Sequence, residues 1–464
     1  MKSYADVISE KISFNHQHGF DADLSDTALY PFQRQITEWA LKIGRAAIFA
    51  DCGMGKSPMQ LYWADKVADY ANGKILILAP LAVADQTKRE GAKFGIDVHR
   101  GHTGDMGRIT VTNYARLGYY KPEDFVGMVC DESSIIKNHS GETRKELTAF
   151  MQSIRFRLLC TATPAPNDYM ELGTSCEAIG VMRRTEMLSQ FFFHDAGDTS
   201  QWVLKGHAES AFWRFVASWA RALRSPKDMG YDDDRFILPE LKMQQHIIKS
   251  KPQEGRLFVV SALTLDDQRA ERRETIEDRC SMVAEIANAN NDPFVAWCSL
   301  NTESELLAKK INGAVEVCGS EDDDEKSRKL LGFSDGSIRC IVTKPKIAGF
   351  GMNWQHCNQM SFFPSHSHEQ FYQCLRRCWR FGQVKPVTVH IVTSEAESEV
   401  LGNMKRKEIA ADKMMDAIVS HMREFYTGNK SAYNPGRKME IPQWLRSASD
   451  KKMERIGQLI TETA

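Results

Sequence analysis

The 464-residue sequence has almost no net charge, because 60 Lys and Arg against 61 Asp and Glu leave a formal charge of −1. The protein as a whole is therefore not basic, so its net charge gives no indication of nucleic-acid binding. Any contact with nucleic acid must come from a local basic patch. The eleven cysteines include no C-x-x-C pair, and several lie within apolar runs. This pattern predicts reduced thiols in a cytosol-like compartment and no disulfide framework.

Long apolar segments are also missing from the sequence. No apolar run approaches the length of a membrane span, and the N-terminal stretch MKSYADVISE lacks the apolar core of a signal peptide. We therefore expect a cytoplasmic protein without membrane contact. The composition, 42% hydrophobic and 26% charged, is that of an ordinary globular protein, and the length fits roughly two to four domains.

Short apolar runs alternate with helical stretches in two series. The first series is AAIFA at 46, KILILAP at 74, RITVTNY at 108, VGMVCDE at 126 and RLLCTATP at 157. The second is PFVAWCS at 293, GAVEVC at 313, IRCIVT at 338, QMSFF at 359 and PVTVHIV at 386. Strands that alternate with helices predict a parallel α/β sheet, so the chain is expected to be α/β with two lobes.

The pattern changes between the two series. SAFWRFVASWARALRS has apolar and aromatic residues at helical spacing, and no strand signal is evident before RFILPELKMQQHIIK. We therefore predict a first lobe over residues 1–172 and a mainly helical insertion with a connecting segment over 173–255. A second lobe is predicted over 256–425, ending in a helix, and a helical C-terminal tail over 426–464.

The stretch AAIFADCGMGKSPMQLY places glycines at a strand-to-helix turn. Gly53 and Gly55 would let the backbone approach an anion closely, and the amides at the start of the following helix would point toward it. Lys56 would neutralise phosphate charge, and the Ser57 hydroxyl would hold Mg²⁺. Because Ala50 stands where the strict G-x-x-x-x-G-K-[ST] pattern has glycine, a simple glycine turn with a surface lysine is the alternative.

A second chemical signal follows the strand VGMVCDE in the same series. Asp131 ends this apolar run and Glu132 follows it. Asp131 would hold Mg²⁺, directly or through water, and Glu132 would orient and deprotonate the attacking water. An Asp-Glu pair is often only a polar strand end, but its position after a glycine-lysine-serine turn favours a nucleotide site.

Seven motifs in order carry a family resemblance. They are LYPFQRQ, ADCGMGKS, ILAPLAVADQ with ITVTNY, DESSIIKN, LLCTATPAPND, VTKPKIAGFGMNW and QCLRRCWRFGQVKPV. The chain resembles superfamily-two helicase-type ATPases (DEAD/DEAH-like) of the Swi/Snf-like branch, in the compact form that bacteriophages and bacteria carry. The resemblance covers roughly residues 28–393 and implies two RecA-like lobes with ATP and Mg²⁺ as cofactors. It also accounts for Ala50, since the family's first motif has the form A-x-x-G-x-G-K-[ST].

The resemblance assigns further residues to the nucleotide. Gln33 of LYPFQRQ matches the adenine-recognising glutamine, and Gly351 of the fifth motif matches a nucleotide-binding position. Thr161 and Thr163 belong to the threonine-rich motif that couples hydrolysis to movement. These roles are implied by the family and were not obtained from composition or spacing.

The sixth motif, Q-x-x-G-R-x-x-R in the family, supplies two arginines. Arg377 and Arg380 would lie on one helical face and could reach across the cleft to the γ-phosphate as arginine fingers. The alternative is a surface helix whose arginines pair with carboxylates. The sequence departs from the family at Arg376, which replaces the usual glycine, and at Ser134, which replaces a histidine of the second motif.

The resemblance implies nucleic acid as the partner. Asn113, Thr343 and Lys344 match strand-contacting positions, and Trp354 would stack on or brace the nucleic acid, with a packed tryptophan as the alternative. We expect a monomeric, DNA-stimulated ATPase that translocates on duplex DNA, with other nucleic acids or proteins as further partners. A strand-separating helicase on DNA or RNA and a nucleotide-gated interaction module with little turnover are the alternatives.

Overall fold

The structure, a computed structural model, describes residues 18–137, 141–165, 168–194, 202–232, 234–249, 265–349, 352–364 and 367–426. Within these ranges strands and helices alternate, and two parallel sheets form. The predicted α/β class with two RecA-like lobes is therefore confirmed. No helix in these ranges combines the length and the apolarity that crossing a membrane requires.

Fifteen strands are described. In chain order they are β1 (Arg45–Ala50), β2 (Lys74–Ala79), β3 (His99–Arg100), β4 (Ile109–Asn113), β5 (Phe125–Asp131), β6 (Phe156–Thr161), β7 (Phe192–His194), β8 (Trp202–Leu204), β9 (Ala220–Leu223), β10 (Leu241–Ile248), β11 (Phe294–Trp297), β12 (Ala314–Glu316), β13 (Cys340–Thr343), β14 (Gln359–Phe362) and β15 (Val387–Ser394).

Fourteen α-helices are described, together with short 3-10 turns. They are α1 (Pro31–Ile43), α2 (Lys56–Ala71), α3 (Leu81–Lys93), α4 (Glu142–Gln152), α5 (Leu172–Ile179), α6 (Arg184–Phe191), α7 (Glu209–Trp219), α8 (Leu265–Glu274), α9 (Ile276–Asn288), α10 (Asn301–Lys310), α11 (Asp323–Ser334), α12 (Pro345–Ala348), α13 (His368–Cys378) and α14 (Ser398–Tyr426).

The first lobe is built on a seven-stranded sheet of order β3-β4-β2-β5-β6-β1-β9. Its strands pair in parallel. Residues 46–50 and 75–79 are fully buried, because helices cover both faces of such a sheet and its inner strands are apolar throughout. All five runs predicted as strands in the first series are strands of this sheet.

The second lobe is built on a six-stranded parallel sheet of order β10-β15-β14-β11-β13-β12. All five runs of the second predicted series are strands of this sheet. Two apolar clusters pack on it, one containing Trp297, Trp354 and Phe362 and the other Val283 and Phe294. The sheet and these clusters together form the core of the second lobe.

The segment predicted as a mainly helical insertion with a connecting segment contains helices α5 to α7 and also contributes a strand to each sheet. β9 pairs with β1 at the edge of the first sheet, and β10 pairs with β15 over all eight of its residues. β7 and β8 form an antiparallel hairpin. The sequence hides β9 because its four residues follow α7 directly, so they extend an apolar helical pattern with no turn signal between.

The long helix α14 follows the last strand of the second lobe but packs on the first lobe. Four of its apolar residues, Met415, Ile418, Val419 and Met422, belong to the core of the first lobe. The guanidinium of Arg224 also pairs with the carboxylates of two acidic residues of α14, Asp412 and Asp416, at 3.0 and 2.7 Å. This helix therefore connects the two lobes on the side of β9.

Several polar contacts join the lobes directly. Arg116 of the first lobe pairs with Asp323 at the start of α11, with 3.2 Å between nitrogen and oxygen. The Ser327 hydroxyl on the same helix donates to Asp85 of α3. The Asn353 amide donates to Glu90, also on α3, at 3.3 Å. The lobes thus face each other closely across the edge at which β1 and β5 end.

Candidate functional site

The glycine-rich turn, residues 51–55 and hereafter the glycine loop, connects β1 to α2. Gly53 and Gly55 have φ angles of +90° and +81°, a region that residues with a Cβ seldom adopt. Space excludes a side chain as well: a Cβ on Gly55 would lie 2.1 Å from Nε2 of Gln33, and one on Gly53 would lie 2.9 Å from the amide nitrogen of Phe381. The loop is therefore enclosed by the first lobe below and the second lobe above.

Lys56 opens α2 immediately after the loop. Its ammonium donates to the carbonyl of Ala50 at 2.9 Å and to that of Asp51 at 3.5 Å, so it lies beneath the glycine loop at the end of β1. Ser57 follows as a half-buried residue in the first turn of the helix. The two groups predicted for phosphate and Mg²⁺ thus occupy the N-terminus of a 16-residue helix, whose positive dipole end favours anions.

Gln33 packs against the glycine loop. Its Nε2 donates to the carbonyl of Met54 at 2.9 Å, and its Oε1 accepts from the amide of Tyr30 at 3.0 Å. The side chain is buried. It therefore braces the loop, and one amide hydrogen and one lone pair remain for the adenine recognition that the sequence predicts.

Asp131 and Glu132 lie at the carboxyl end of β5, close to the same loop. In the sheet, β6 separates β5 from β1, and parallel strands end at one edge. Gln60 of α2 donates to Oδ1 of Asp131 at 2.7 Å, which links the helix after the glycine loop to the carboxylate. Burial, followed by repulsion from Glu132, raises the pKa of Asp131 to about 6, although the Gln60 hydrogen bond and Lys56 oppose this shift.

The backbone at Glu132 is strained. Its φ of +51° lies in the left-handed region, which costs a residue other than glycine of order 1 kcal/mol and concentrates at functional sites. The Tyr114 hydroxyl holds the preceding carbonyl, that of Asp131, at 2.5 Å. Oε2 of Glu132 is buried without a hydrogen-bond partner among the described residues. Backbone strain and desolvation of the carboxylate thus both cost free energy at Glu132, and its side chain is nevertheless held in the interior.

Stability should depend on pH through Asp131. A carboxyl whose folded pKa is raised from 3.8 to about 6 favours folding most below the unfolded pKa and loses that contribution as the pH rises through the folded pKa. We therefore expect Asp131→Asn to stabilise the protein at pH 8 by about 1–3 kcal/mol, with the gain shrinking toward pH 4. Denaturant melts at several pH values in EDTA measure this difference. A gain that does not change with pH would contradict the titration of Asp131.

The two threonines predicted for coupling differ in location. Thr161 is buried at the end of β6, and its hydroxyl oxygen accepts from the amide of Thr163 at 3.1 Å. The Thr163 hydroxyl donates to Oε1 of Glu369, on α13 of the second lobe, at 3.3 Å. The motif therefore contacts both the first sheet and the second lobe, and its role in coupling stays a prediction.

The two predicted arginine fingers are held in the second lobe. Arg377 is 2% exposed, and it donates to Oε1 and the carbonyl of Gln373 and to the carbonyl of Met352. Arg380 also donates to Met352, at 3.1 Å, but its Nε is buried without a hydrogen-bond partner among the described residues. Burial, and then the charge of Arg377, lowers the pKa of Arg380 to about 10. The alternative of a surface helix is wrong for Arg377.

Sequence reasoning missed three residues at the lobe junction. Arg376 and Tyr372, both on α13, contact the carboxylate of Asp51 in the glycine loop. The available signal was the departure from the family motif at Arg376, together with an acidic residue in the loop. Gln60 and Tyr114, which hold Asp131, were also missed, since neither stands in a position that its motif marks as chemical.

The residues predicted to contact nucleic acid differ in their exposure. Trp354 is fully buried, with its Nε1 donating to the Ser334 hydroxyl at 3.0 Å and its ring 5.7 Å from that of Trp297, so the packed alternative holds and base stacking is excluded. Thr343 is buried at the end of β13. Asn113 is largely buried too, whereas Lys344 is partly exposed and contacts Asn301. Thr343 and Asn113 are thus buried as the last residues of β13 and β4, and the contact predicted for Lys344 stays a prediction.

Gly351, predicted to bind nucleotide, lies outside the described residues.

Comparison with known proteins gives a partial likeness. No protein-family model matches the chain. Over 122 residues it is 29% identical to proteins named bifunctional helicase and thymine dioxygenase JBP2 from Leishmania tarentolae and Leishmania major. The match covers 25% of this chain and 11% of the length of each relative. The chain thus has a weak, partial similarity to a helicase-containing protein.

Proposed function

We propose that the protein is an ATP-dependent motor whose hydrolysis is stimulated by nucleic acid and remodels DNA or protein–DNA complexes. The observation that carries the proposal is the convergence of the glycine loop, Lys56 and the Asp131–Glu132 pair at one edge of the first sheet, beneath the second lobe. The hydrogen bond from Gln60 to Asp131 joins these elements directly. Glycines with left-handed backbone conformations and the amides at a helix N-terminus can bind the oxygens of a phosphate chain.

The residues of the first lobe divide the chemistry among them. The loop amides and the Lys56 ammonium would bind and orient phosphate oxygens, and Ser57 and Asp131 would hold Mg²⁺. That ion would supply charge neutralisation between the phosphates. Glu132, with a buried oxygen free to accept a proton, would act as the general base toward water. Gln33 keeps the loop in shape.

The second lobe supplies the complementary charge. Arg380 is half-buried, with a hydrogen-bond donor that has no partner in the described structure and a lowered pKa. A half-buried cation whose buried Nε has no partner among the described residues is stabilised by a nearby anion. Phe381, the next residue, lies against Gly53. These contacts support a role for Arg380 at the phosphates.

The likeness to helicase-containing relatives supports nucleic acid as the stimulating partner, and we propose duplex DNA. The test is ATP turnover measured without nucleic acid and with duplex DNA, single-stranded DNA or RNA. We expect duplex DNA to stimulate more than RNA. Stronger stimulation by single strands or RNA would favour the strand-separating helicase. Nucleotide binding with little turnover under every condition would favour the gated interaction module.

Strand displacement distinguishes translocation from unwinding. A motor that tracks along duplex DNA is expected to displace a triplex-forming third strand in an ATP-dependent manner while leaving a blunt duplex intact. Contacts that fall mainly on phosphates should make this activity weakly dependent on sequence and steeply dependent on salt. Both assays are run at low salt with saturating ATP. Unwinding of a tailed duplex without third-strand displacement would contradict translocation.

A further inference from the structure

The second lobe contacts the glycine loop through a carboxylate. The Tyr372 hydroxyl donates to Oδ1 of Asp51, and Nη2 of Arg376 donates to Oδ2. Because Tyr372 and Arg376 are four residues apart on α13, they lie on one helical face and reach the same carboxylate. The ion pair is enclosed: the side chains of Arg376 and Asp51 are 7% and 16% exposed.

Arg376 is fixed in place from its own lobe. Its Nε donates to the Tyr372 oxygen at 3.3 Å and its Nη1 to the carbonyl of Trp379 at 3.4 Å. The guanidinium also lies 5.0 Å from the centre of the Trp379 ring. Burial acts to lower the pKa of Arg376, but the charge of Asp51 together with Tyr372 and Cys52 outweighs burial, and the pKa is raised. The group is therefore a permanent cation, preorganised toward the glycine loop.

Asp51 is an unusual neighbour for a phosphate site. It adds a negative charge to the loop proposed to receive a polyphosphate, and its own carbonyl accepts from Lys56. An uncompensated carboxylate at this position would repel that ligand. Arg377 and Arg380 donate within the second lobe, whereas Arg376 reaches across to Asp51. Of these three arginines, Arg376 is the one whose hydrogen bond cancels the charge of the loop.

We infer that Asp51, Tyr372 and Arg376 form an interlobe latch, in which Arg376 positions the glycine loop against the second lobe and neutralises Asp51. The loop can then accept a polyphosphate anion, and one ion pair has two separable roles: it holds the loop against the second lobe, and it removes the negative charge that would repel the anion. The inference rests on the proposed function for the identity of the anion. The latch itself is a property of the protein without nucleotide.

Two measurements separate these roles. Amide hydrogen exchange at residues 51–55 and 372–376, without nucleotide, measures the latch, and calorimetric titration with Mg·ATP measures anion affinity. Arg376→Gln should raise exchange at both segments and weaken Mg·ATP binding at least about tenfold, because Asp51 is left unpaired. The double variant Asp51→Asn with Arg376→Gln should recover affinity to within about threefold of the unaltered protein, while exchange stays high.

Arg116→Gln is the matched control, since Arg116 pairs with Asp323 across the lobes away from the loop. It should leave exchange at residues 51–55 and Mg·ATP affinity unchanged. Tyr372→Phe is a second test of the latch, to be used if the charge variants do not fold. It keeps both charges and removes the two hydrogen bonds of the Tyr372 hydroxyl, the one donated to Asp51 and the one accepted from Arg376, so exchange should rise while affinity stays within about threefold.

The outcomes are distinguishable from failure of the proposed function. If the unaltered protein does not bind Mg·ATP, the proposed function fails, and the exchange measurements still decide the latch. Unchanged exchange in Arg376→Gln and Tyr372→Phe overturns the latch. Loss of affinity that the double variant does not restore overturns charge neutralisation by Arg376, because a purely structural role would not be rescued by removing the partner's charge.

Discussion

Lys56→Ala is expected to reduce ATP turnover at least about 10²- to 10³-fold, toward the uncatalysed background. The ammonium lies beneath the glycine loop, where it donates to the carbonyls of Ala50 and Asp51, and its removal leaves phosphate charge without its main compensation. Steady-state phosphate release measures the loss. Lys66→Ala is the control, since Lys66 lies on the same helix, two turns and more from the loop.

Glu132→Gln should separate binding from hydrolysis. The amide keeps the size of the side chain and the left-handed backbone but cannot accept a proton, so turnover should fall about 10²- to 10⁴-fold while nucleotide affinity is retained. Glu123→Gln, an exposed residue just before β5, controls for the loss of a charge. Normal turnover in Glu132→Gln would remove Glu132 from the mechanism.

The sequence predicts both sheets well for a physical reason. Inner strands of a parallel sheet are covered on both faces, so runs such as KILILAP leave a plain apolar signal, and their ends carry the glycine loop and the Asp131–Glu132 pair. Strand β9 was not predicted, because it follows helix α7 directly with no turn residues between them. A segment of only four residues is too short for its periodicity to distinguish a strand from the last turn of a helix.

Side-chain direction was harder to predict than position. The motif VTKPKIAGFGMNW contains both Thr343 and Trp354, but it does not say which face of the backbone each side chain occupies. Both are buried. Tertiary pairing was equally hidden: Asp51 and Arg376 are far apart in the sequence, and only the closed arrangement of the lobes brings them together.

Arg380→Ala is expected to lower kcat by about 10³-fold or more with little change in the KM for ATP, the effect of removing an arginine finger. Arg380 is suited to this role because its Nε is buried without a hydrogen-bond partner in the described residues and its pKa is lowered by burial. A cation held in this way gains most from charge that develops in the transition state. The split between kcat and KM is the informative measurement.

Arg377→Ala should behave differently, although the two arginines share a motif. Arg377 directs three donors at Gln373 and Met352 inside its own lobe, so its loss leaves buried acceptors unpaired and should destabilise the second lobe by about 1–3 kcal/mol. Thermal melts should therefore show a larger shift for Arg377→Ala than for Arg380→Ala. Arg328→Ala, at an exposed arginine of α11, is the control for both measurements. Equal kcat losses with equal melting temperatures would mean that both arginines reach the phosphates, and that the contacts of Arg377 within the second lobe are exchanged for phosphate during turnover.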